Sequence, residues 1–419
     1  MPHLGVDFGT TNSVVAVADD DGALHSARIG VSAAAVETIR SVLCFWSADR
    51  ALRHAIGPDA VERYLDDPGA CRLIMSMKTY LAQRSFSETR VFGRSFTLER
   101  LVGLFLGALL PGAGTGRITA GRPVRFAGER ADDALGERRL RAGFAAAGWP
   151  EVDVALEPEA AGYRFARTLD GAATVLVGDF GGGTSDFSVL RFDPRVSSGS
   201  AAGVVALGSA GIGIAGDSFD ARIMERVVAP RLGRGDTYAV MGQDLPVPPE
   251  YYAGFSRWHR LSMMRTPRML RDIAEVARHA AHPERLLALG RLIEDEAGYG
   301  LYGAVAAAKA ELSRGQSATL RFRHEGFAIE QEIARAEFES WIAPDLARLL
   351  ATVDEALARS GVAAGEVDRV FLTGGTALMP AIRRLFEQRF SPGRVSGGAE
   401  FVSVAEGLAL IGRERSLVP

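Results

Sequence analysis

Two stretches of the chain follow one plan. Residues Leu4 to Val17 read LGVDFGTTNSVVAV: an apolar run, an aspartate, a Gly-Thr-Thr corner and a second alternating run. Residues Val175 to Leu190 read VLVGDFGGGTSDFSVL, with Gly181, Gly182 and Gly183 at the corner. Each has the alternation and tight polar turn of a β-hairpin. A D-F-G hairpin that opens two halves of one chain implies a duplicated domain, with its two turns facing each other across a cleft. A two-lobed α/β protein is the expectation.

Between and beyond these hairpins the pattern alternates helix and strand. Leu98 to Leu110 is apolar enough for a buried helix, and Arg117 to Phe126 has the alternation of a strand. Glu137 to Ala147 reads as a helix ended by Gly148, Val152 to Leu156 as a short buried strand, and Pro158 as the start of a helix running to Ala166. Val204 to Gly216 reads as a Gly-rich strand and turn before a helix from about Asp217. Tyr251 to Arg314 is mostly helical, and its six arginines between Arg257 and Arg278 read as a solvated face. Val370 to Thr373 is a strand that runs into Gly374-Gly375-Thr376 and then a helix. Gly233 to Glu250, with Pro246, Pro248 and Pro249, is the linker candidate.

Composition narrows the function. With 48 basic and 51 acidic residues the net charge is -3, so no surplus of positive charge drives phosphate-backbone binding and nucleic acid is not the expected partner. Lys78 and Lys309 are the only lysines, and neither follows a G-x-x-x-x-G run, which excludes a Walker-type phosphate loop. Two cysteines, Cys44 and Cys71, are too few for a disulfide framework and point to a reducing, cytoplasmic compartment. No secretory leader is expected, and the longest apolar stretch, Leu101 to Leu110, is about half the ~20 residues a membrane span needs.

Two opposed hairpin turns offer a definite chemistry. The amides of Gly9, Thr10 and Thr11 and those of Gly181 to Thr184 lie in turns with few bulky side chains, which suits the oxyanions of a nucleotide. Asp7 and Asp179 supply hard oxygen ligands, and Mg²⁺ takes one or two carboxylates together with waters and phosphates. Either hairpin alone would be read as a simple turn with an Asx-type hydrogen bond; the duplication favours a metal-phosphate clamp. Gly211 to Gly216 matches G-x-G-x-x-G, but no second strand ending in an acidic residue follows at the spacing a dinucleotide site requires. His279 and His282, three apart on an expected helix, lack a third ligand, and no G-x-S-x-G supports serine hydrolysis.

In order along the chain, LGVDFGTTNSVV, ALEPEAAGY, VLVGDFGGGTSDFSVL, AKAELS, IARAEFES and VFLTGGTALMPAI resemble the ATPase domain of the DnaK-type seventy-kilodalton heat-shock chaperones. The likeness runs from Leu4 to about Gly407 and is nearest to the YegD-like branch, which has little beyond the nucleotide-binding domain. It implies the duplicated actin-like, ribonuclease H-like α/β fold. Lobe I would then cover 1–168, with its core in 1–30, 115–168 and 396–419 and an upper subdomain in 31–114. Lobe II would cover 169–395, with its core in 169–215 and 338–395 and an upper helical subdomain in 216–337. ATP or ADP with Mg²⁺ would sit between the lobes, and a substrate-binding domain with its peptide clamp is not expected in this chain.

Carried over by motif, the resemblance assigns Gly9, Thr10, Thr11 and Asn12 to the first phosphate loop and Gly181, Gly182 and Gly183 to the second. It places Asp7, Asp179 and Asp186 near the metal, and Lys78, Glu157, Asp179 and Thr184 at the reacting phosphate. Without the resemblance, Glu157 reads as a helix N-terminal acid favoured by the dipole. Gly216, Lys309, Ser313, Gly374, Gly375 and Thr376 complete the nucleotide contacts. Departures fall at the nucleoside end: Ala306 replaces the ribose-binding glutamate, Ala310 and Leu378 replace arginines that would flank the base, and Phe401 replaces an aspartate. The function implied is an ATPase whose hydrolysis drives lobe movement and acts on an unidentified protein partner. A non-hydrolysing nucleotide-dependent scaffold is the alternative, followed by a small-molecule kinase on the same fold.

Overall fold

In a computed structural model, which describes residues 2–27, 29–31, 34–110, 116–128, 130–193, 203–256, 261, 264–397 and 402–417, the two hairpins become the centres of two sheets with one strand order. The chain divides into two compact units, one formed by Met1–Gly216 with Asp345–Pro419 and the other by Asp217–Pro344.

In the first unit, β1 (His3–Phe8), β2 (Asn12–Ala18) and β3 (Leu24–Ser26) form an antiparallel meander. Strands β4 (Arg117–Arg122) and β5 (Val152–Leu156) extend it in parallel beyond β1, giving the order β3-β2-β1-β4-β5, and Thr38–Arg40 also pairs with β2. The second sheet repeats this arrangement. Its antiparallel meander is β6 (Ala173–Phe180), β7 (Ser185–Phe192) and β8 (Val204–Ile212). Strands β9 (Arg369–Thr373) and β10 (Val395–Gly397) then add in parallel beyond β6, for the order β8-β7-β6-β9-β10. Strand for strand and direction for direction, the two sheets match. Asp7 and Asp179 are each the penultimate residue of the central strand.

Helices α1 (Glu157–Ala166) and α2 (Ser403–Leu417) tie these sheets together. Ala160 and Ala161 of α1 pack in one core with Leu408 of α2 and with Val177, Leu190 and Phe371 of the second sheet. Ala405 of α2 packs against Val14 and Ala16 of the first sheet. The helices cross so closely that a Cβ on Gly407 would lie 1.8 Å from the carbonyl oxygen of Ala160, so only glycine fits there.

Several sequence expectations change in detail. The strand from Arg117 stops at Arg122, because Pro123 has no N–H and the Arg122 guanidinium takes the carbonyls of Pro123 and Val124. The helix expected from Glu137 starts at Asp133, where the Asp132 side chain accepts the Leu135 N–H at 3.0 Å. Residues 42–75 hold a three-stranded sheet of Val42–Ala48, Ala51–Ile56 and Cys71–Met75, which was not anticipated.

The second unit contains helices Pro267–Arg278, Pro283–Glu294 and Gly298–Leu312, and an unanticipated hairpin of Ser317–His324 with Phe327–Ala334. Tyr251, Leu286, Leu289 and Leu301 are fully buried in it. Gly233 to Glu250 is not a linker: Thr237–Val240 pairs with Gln243–Pro246 around Met241 and Gly242, both at positive φ as a two-residue hairpin turn requires. His279 and His282 lie in the exposed turn after Pro267–Arg278 rather than on one helix. Of the six arginines, Arg265, Arg268, Arg271 and Arg278 are exposed, while Arg257 and Arg260 lie outside the described residues.

The helix crossing yields a first expected outcome. Gly407→Val forces a branched side chain into the Ala160 backbone and should cost about 3 kcal/mol, the upper end for overpacking. Equilibrium denaturation measures it; a midpoint equal to the parent's would show that the crossing tolerates separation.

Candidate functional site

The two repeated turns meet. A Cβ on Gly183 would lie 3.2 Å from the Thr10 hydroxyl, so the Gly181–Thr184 turn abuts the Gly9–Thr11 turn. Asn12 begins β2, and the Thr11 carbonyl accepts the Ser41 N–H at 2.9 Å. In the second turn the Gly181 N–H donates to the Thr184 carbonyl at 3.0 Å. The Gly181 carbonyl accepts from the Gly216 N–H at 3.4 Å and from the Thr376 hydroxyl at 3.3 Å. Gly374, at φ +89, lets the turn after β9 pass the Phe180 backbone, where a Cβ would come within 2.2 Å of the Phe180 oxygen. Gly375 next to it is exposed. Three glycine-bearing turns from distant parts of the chain thus converge at Gly181.

Beside them lies a buried cluster of charge. Lys78 leaves a one-turn helix, Met77–Tyr80, that follows the Cys71–Met75 strand. Its Nζ donates to the Glu157 carboxylate at 2.5 Å, and the two residues are 6% and 5% exposed. Glu157 occupies the first turn of α1 immediately after β5, where the helix N-terminus favours an anion. Asp186 sits opposite Asp179 in the β6–β7 register and is 1% exposed. It accepts the Arg125 N–H at 3.2 Å and is hydrogen-bonded to the Thr184 side chain.

Four carboxylates, Asp7, Glu157, Asp179 and Asp186, interact electrostatically with one ammonium group, which touches Glu157. Burial raises the Asp7 carboxyl to about 7, with Glu157 adding to the shift and Lys78 opposing it. Asp186 is lifted to about 7 by burial and then by Glu157, against its Arg125 and Thr184 hydrogen bonds. Asp179 stands well above the usual carboxylate range through burial, then Glu157, Asp7 and Asp186. For Lys78, burial pulls downward, but Glu157, Asp7 and Asp179 outweigh it and the net shift is upward. Such an excess of negative charge costs stability unless a cation shares it. The donors are hard oxygens, which fits Mg²⁺. Among the described residues no three His, Cys, Asp or Glu side chains form a ready-made metal cage, so water and ligand oxygens would complete the coordination.

The other expected contacts belong to the second unit. Lys309, on the Gly298–Leu312 helix, pairs with Asp220 at 2.8 Å, and the Ser313 hydroxyl donates to the Lys309 carbonyl at 3.3 Å. Ala306 and Ala310 share that helix. Leu378, in the first unit, is 43% exposed, and Phe401 lies outside the described residues. Sequence reasoning missed the part played by the Arg125 backbone, since an amide donor leaves no residue signature.

A protein-family model described as Hsp70 protein matches residues 294–413. The chain is also similar to Chaperone protein DnaK of Deinococcus proteolyticus, 24% identical over 421 residues, a match covering 91% of this chain and 54% of that protein. It thus spans about half the length of the curated relatives it matches. Both matches are similarities to the Hsp70 family. Among the described residues, no helix is long and apolar enough to cross a membrane.

The shifted carboxyl groups set a pH dependence. Folded Asp186 keeps its proton up to about pH 7, whereas an unfolded aspartate releases it near about 3.9. The folded state therefore binds more protons in that window, and stability falls as pH rises from about 4 to about 7. Asp186→Asn should remove this contribution. In chelator-containing buffer its melting temperature, relative to the parent's, should be higher at pH 7.5 than at pH 5.5. An equal difference at both values would mean that Asp186 is not held protonated.

Proposed function

We propose that this chain binds a magnesium nucleotide at the paired turns and hydrolyses it slowly, as an ATPase domain whose opening and closing is passed to a protein partner. The observation that carries this reading is the meeting of the two repeated turns beside Lys78, Glu157, Asp7, Asp179 and Asp186. Turn amides of Gly9 to Asn12 and Gly182 to Thr184 would hold the β- and γ-phosphates, the Gly181 N–H being kept within its turn by the Thr184 carbonyl, and Gly216 and Gly374 to Thr376 would border the rest of the nucleotide. Lys309 and Ser313 are assigned to the nucleoside through the resemblance. Assignment to the YegD-like branch, the four-subdomain division and a cytoplasmic address belong to the same proposal; the free thiols of Cys44 and Cys71 accord with the last.

Chemically the protein's part is placement. Mg²⁺, held through Asp7 and Asp179 with Asp186 reached through water, would neutralise phosphate charge when bound. Glu157 would accept a hydrogen bond from the attacking water and turn its lone pair toward the γ-phosphorus. Lys78 would offset the negative charge that builds on the γ-phosphate oxygens as the bond to the water forms and the bond to the β–γ bridging oxygen breaks. The water's proton passes to solvent. Glu157 and Lys78 hold each other in place through their buried pair, so neither needs to reorganise during the step.

Two outcomes follow. Lys78→Ala should abolish phosphate release while leaving ATP affinity within a few-fold, because its interaction strengthens only as charge develops. Calorimetric titration with a phosphate-release assay separates the two; unchanged turnover would return Lys78 to a structural role, and turnover absent from the parent itself would favour the non-hydrolysing scaffold.

The second outcome concerns the base. With Ala306, Ala310 and Leu378 in place of polar partners, few groups remain that a wrong base would leave unpaired, so ATP and GTP should bind with similar affinity. ATP with Mg²⁺ should raise the melting temperature and adenosine alone should not. A thousandfold preference for ATP, or equal stabilisation by adenosine, would contradict the reading of a reduced nucleoside site.

A further inference from the structure

Lys78 sits on a segment with little regular structure of its own. Ser76 before it is left-handed at φ 53 and 8% exposed, and the helix that carries Lys78 is a single turn, Met77–Tyr80. A single turn has no intrinsic stability, and its terminal carbonyls need outside donors. One charged side chain reinforces that end. Arg139, on the Asp133–Ala146 helix, directs Nη1 at the carbonyls of Tyr80, Leu81 and Gln83 at 3.3, 3.4 and 3.0 Å. Its Nε pairs with Glu99 at 3.1 Å, and the Arg139 side chain is 12% exposed. The Tyr80 carbonyl also accepts the Gln83 N–H at 3.1 Å and the Gln83 carbonyl the Phe86 N–H at 3.3 Å, so Arg139 adds a charged bond to these two and supplies the donor described for Leu81. The Lys78 carbonyl is taken by the Leu81 N–H, that of Thr79 by the Gln83 side-chain amide and that of Ala82 by the Asp132 N–H.

We infer that Arg139 is a positioning residue, which fixes Lys78 against Glu157 by capping the carbonyl end of its one-turn helix. The inference rests on the reading of Lys78 proposed above. Arg139 makes these bonds as a flat, permanently charged donor held at its other edge by Glu99. Without it, the Leu81 carbonyl loses its described donor, the half-buried Tyr80 and Gln83 carbonyls keep only their backbone bonds, and the turn gains freedom to unwind. The effect would fall first on the Lys78 ammonium, whose pairing with Glu157 depends on the direction of that turn.

The chain's two lysines make this measurable without reference to activity. In brief exposure to a small acylating reagent such as acetic anhydride, Lys78 should label slowly and Lys309, on the second unit, serves as the internal standard. Arg139→Ala should raise Lys78 labelling relative to Lys309 by about tenfold, the signature of local opening, and Arg139→Lys should recover part of the protection. In phosphate release, kcat should fall by about tenfold or more with KM within threefold, the split expected when a group acting only in the transition state is misplaced. Should Arg139→Ala fail to fold, Glu99→Gln loosens the same guanidinium and should raise Lys78 labelling to a smaller extent. Lys78 labelling at the parent's rate in folded Arg139→Ala, or in Glu99→Gln where the alanine variant does not fold, would overturn the inference. Raised labelling in a protein that hydrolyses nothing would uphold the positioning of Lys78 and overturn only the ATPase reading.

Discussion

The crossing of α1 and α2 is the constraint on which the first unit depends. Gly407 lets the two helix backbones approach to a separation no other residue allows. Each helix also serves a sheet: α1 packs through Ala160 and Ala161 with the second, and α2 sets Ala405 on the first. Glu157 is the first residue of α1, and Ser403, the first of α2, shares a 2.9 Å hydrogen bond with Thr373 at the end of β9. Close packing of small residues thus fixes where the central strands β1 and β6, which carry Asp7 and Asp179, end relative to one another and to Glu157.

Packing of that kind lets the protein hold an arrangement of charge that disfavours folding. Removing Glu157 and Asp186 from water, and Asp7 and Asp179 in part, beside one ammonium group costs free energy that the Lys78–Glu157 pair offsets only in part. The upward displacement of Asp7, Asp179 and Asp186 expresses the remainder. Concentrations of perturbed acids mark sites where a charged ligand is expected. A polyanion alone would be repelled; a divalent cation carrying phosphate would relieve the repulsion and add contacts to both turns. The geometry and the charge both accord with the ligand proposed above.

Much of this was legible in the sequence because it was written twice. The D-F-G hairpins announced the central strands, and the shared strand order extends that repeat to both cores. Val152–Leu156 and the helix that begins at Glu157 were also readable, through apolar runs bounded by Pro and Gly. Residues 42–75 were not. The strand Val42–Ala48 opens with four buried residues in succession, so it lacks the alternation that separates a strand from a helix. The Thr237–Pro246 hairpin was hidden by a Met-Gly turn and by a proline that ends its second strand. Within the site, the motifs singled out Lys78 and Glu157, which the structure pairs, whereas nothing in the sequence pointed to Arg139 or the Arg125 amide. Arg139 acts on backbone carbonyls and Arg125 through its own amide, and backbone groups leave no pattern in residue types.

The central claim is that Asp7 and Asp179, from different repeats, form one cation-nucleotide site. A double-mutant cycle tests it directly: Mg²⁺-ATP affinity is measured by titration calorimetry for the parent, Asp7→Asn, Asp179→Asn and the double variant. Groups that share a ligand are energetically coupled, whereas independent sites add within a few tenths of a kcal/mol. The account predicts a coupling of about 1 kcal/mol or more. Additive losses, or tight binding by the double variant, would contradict it.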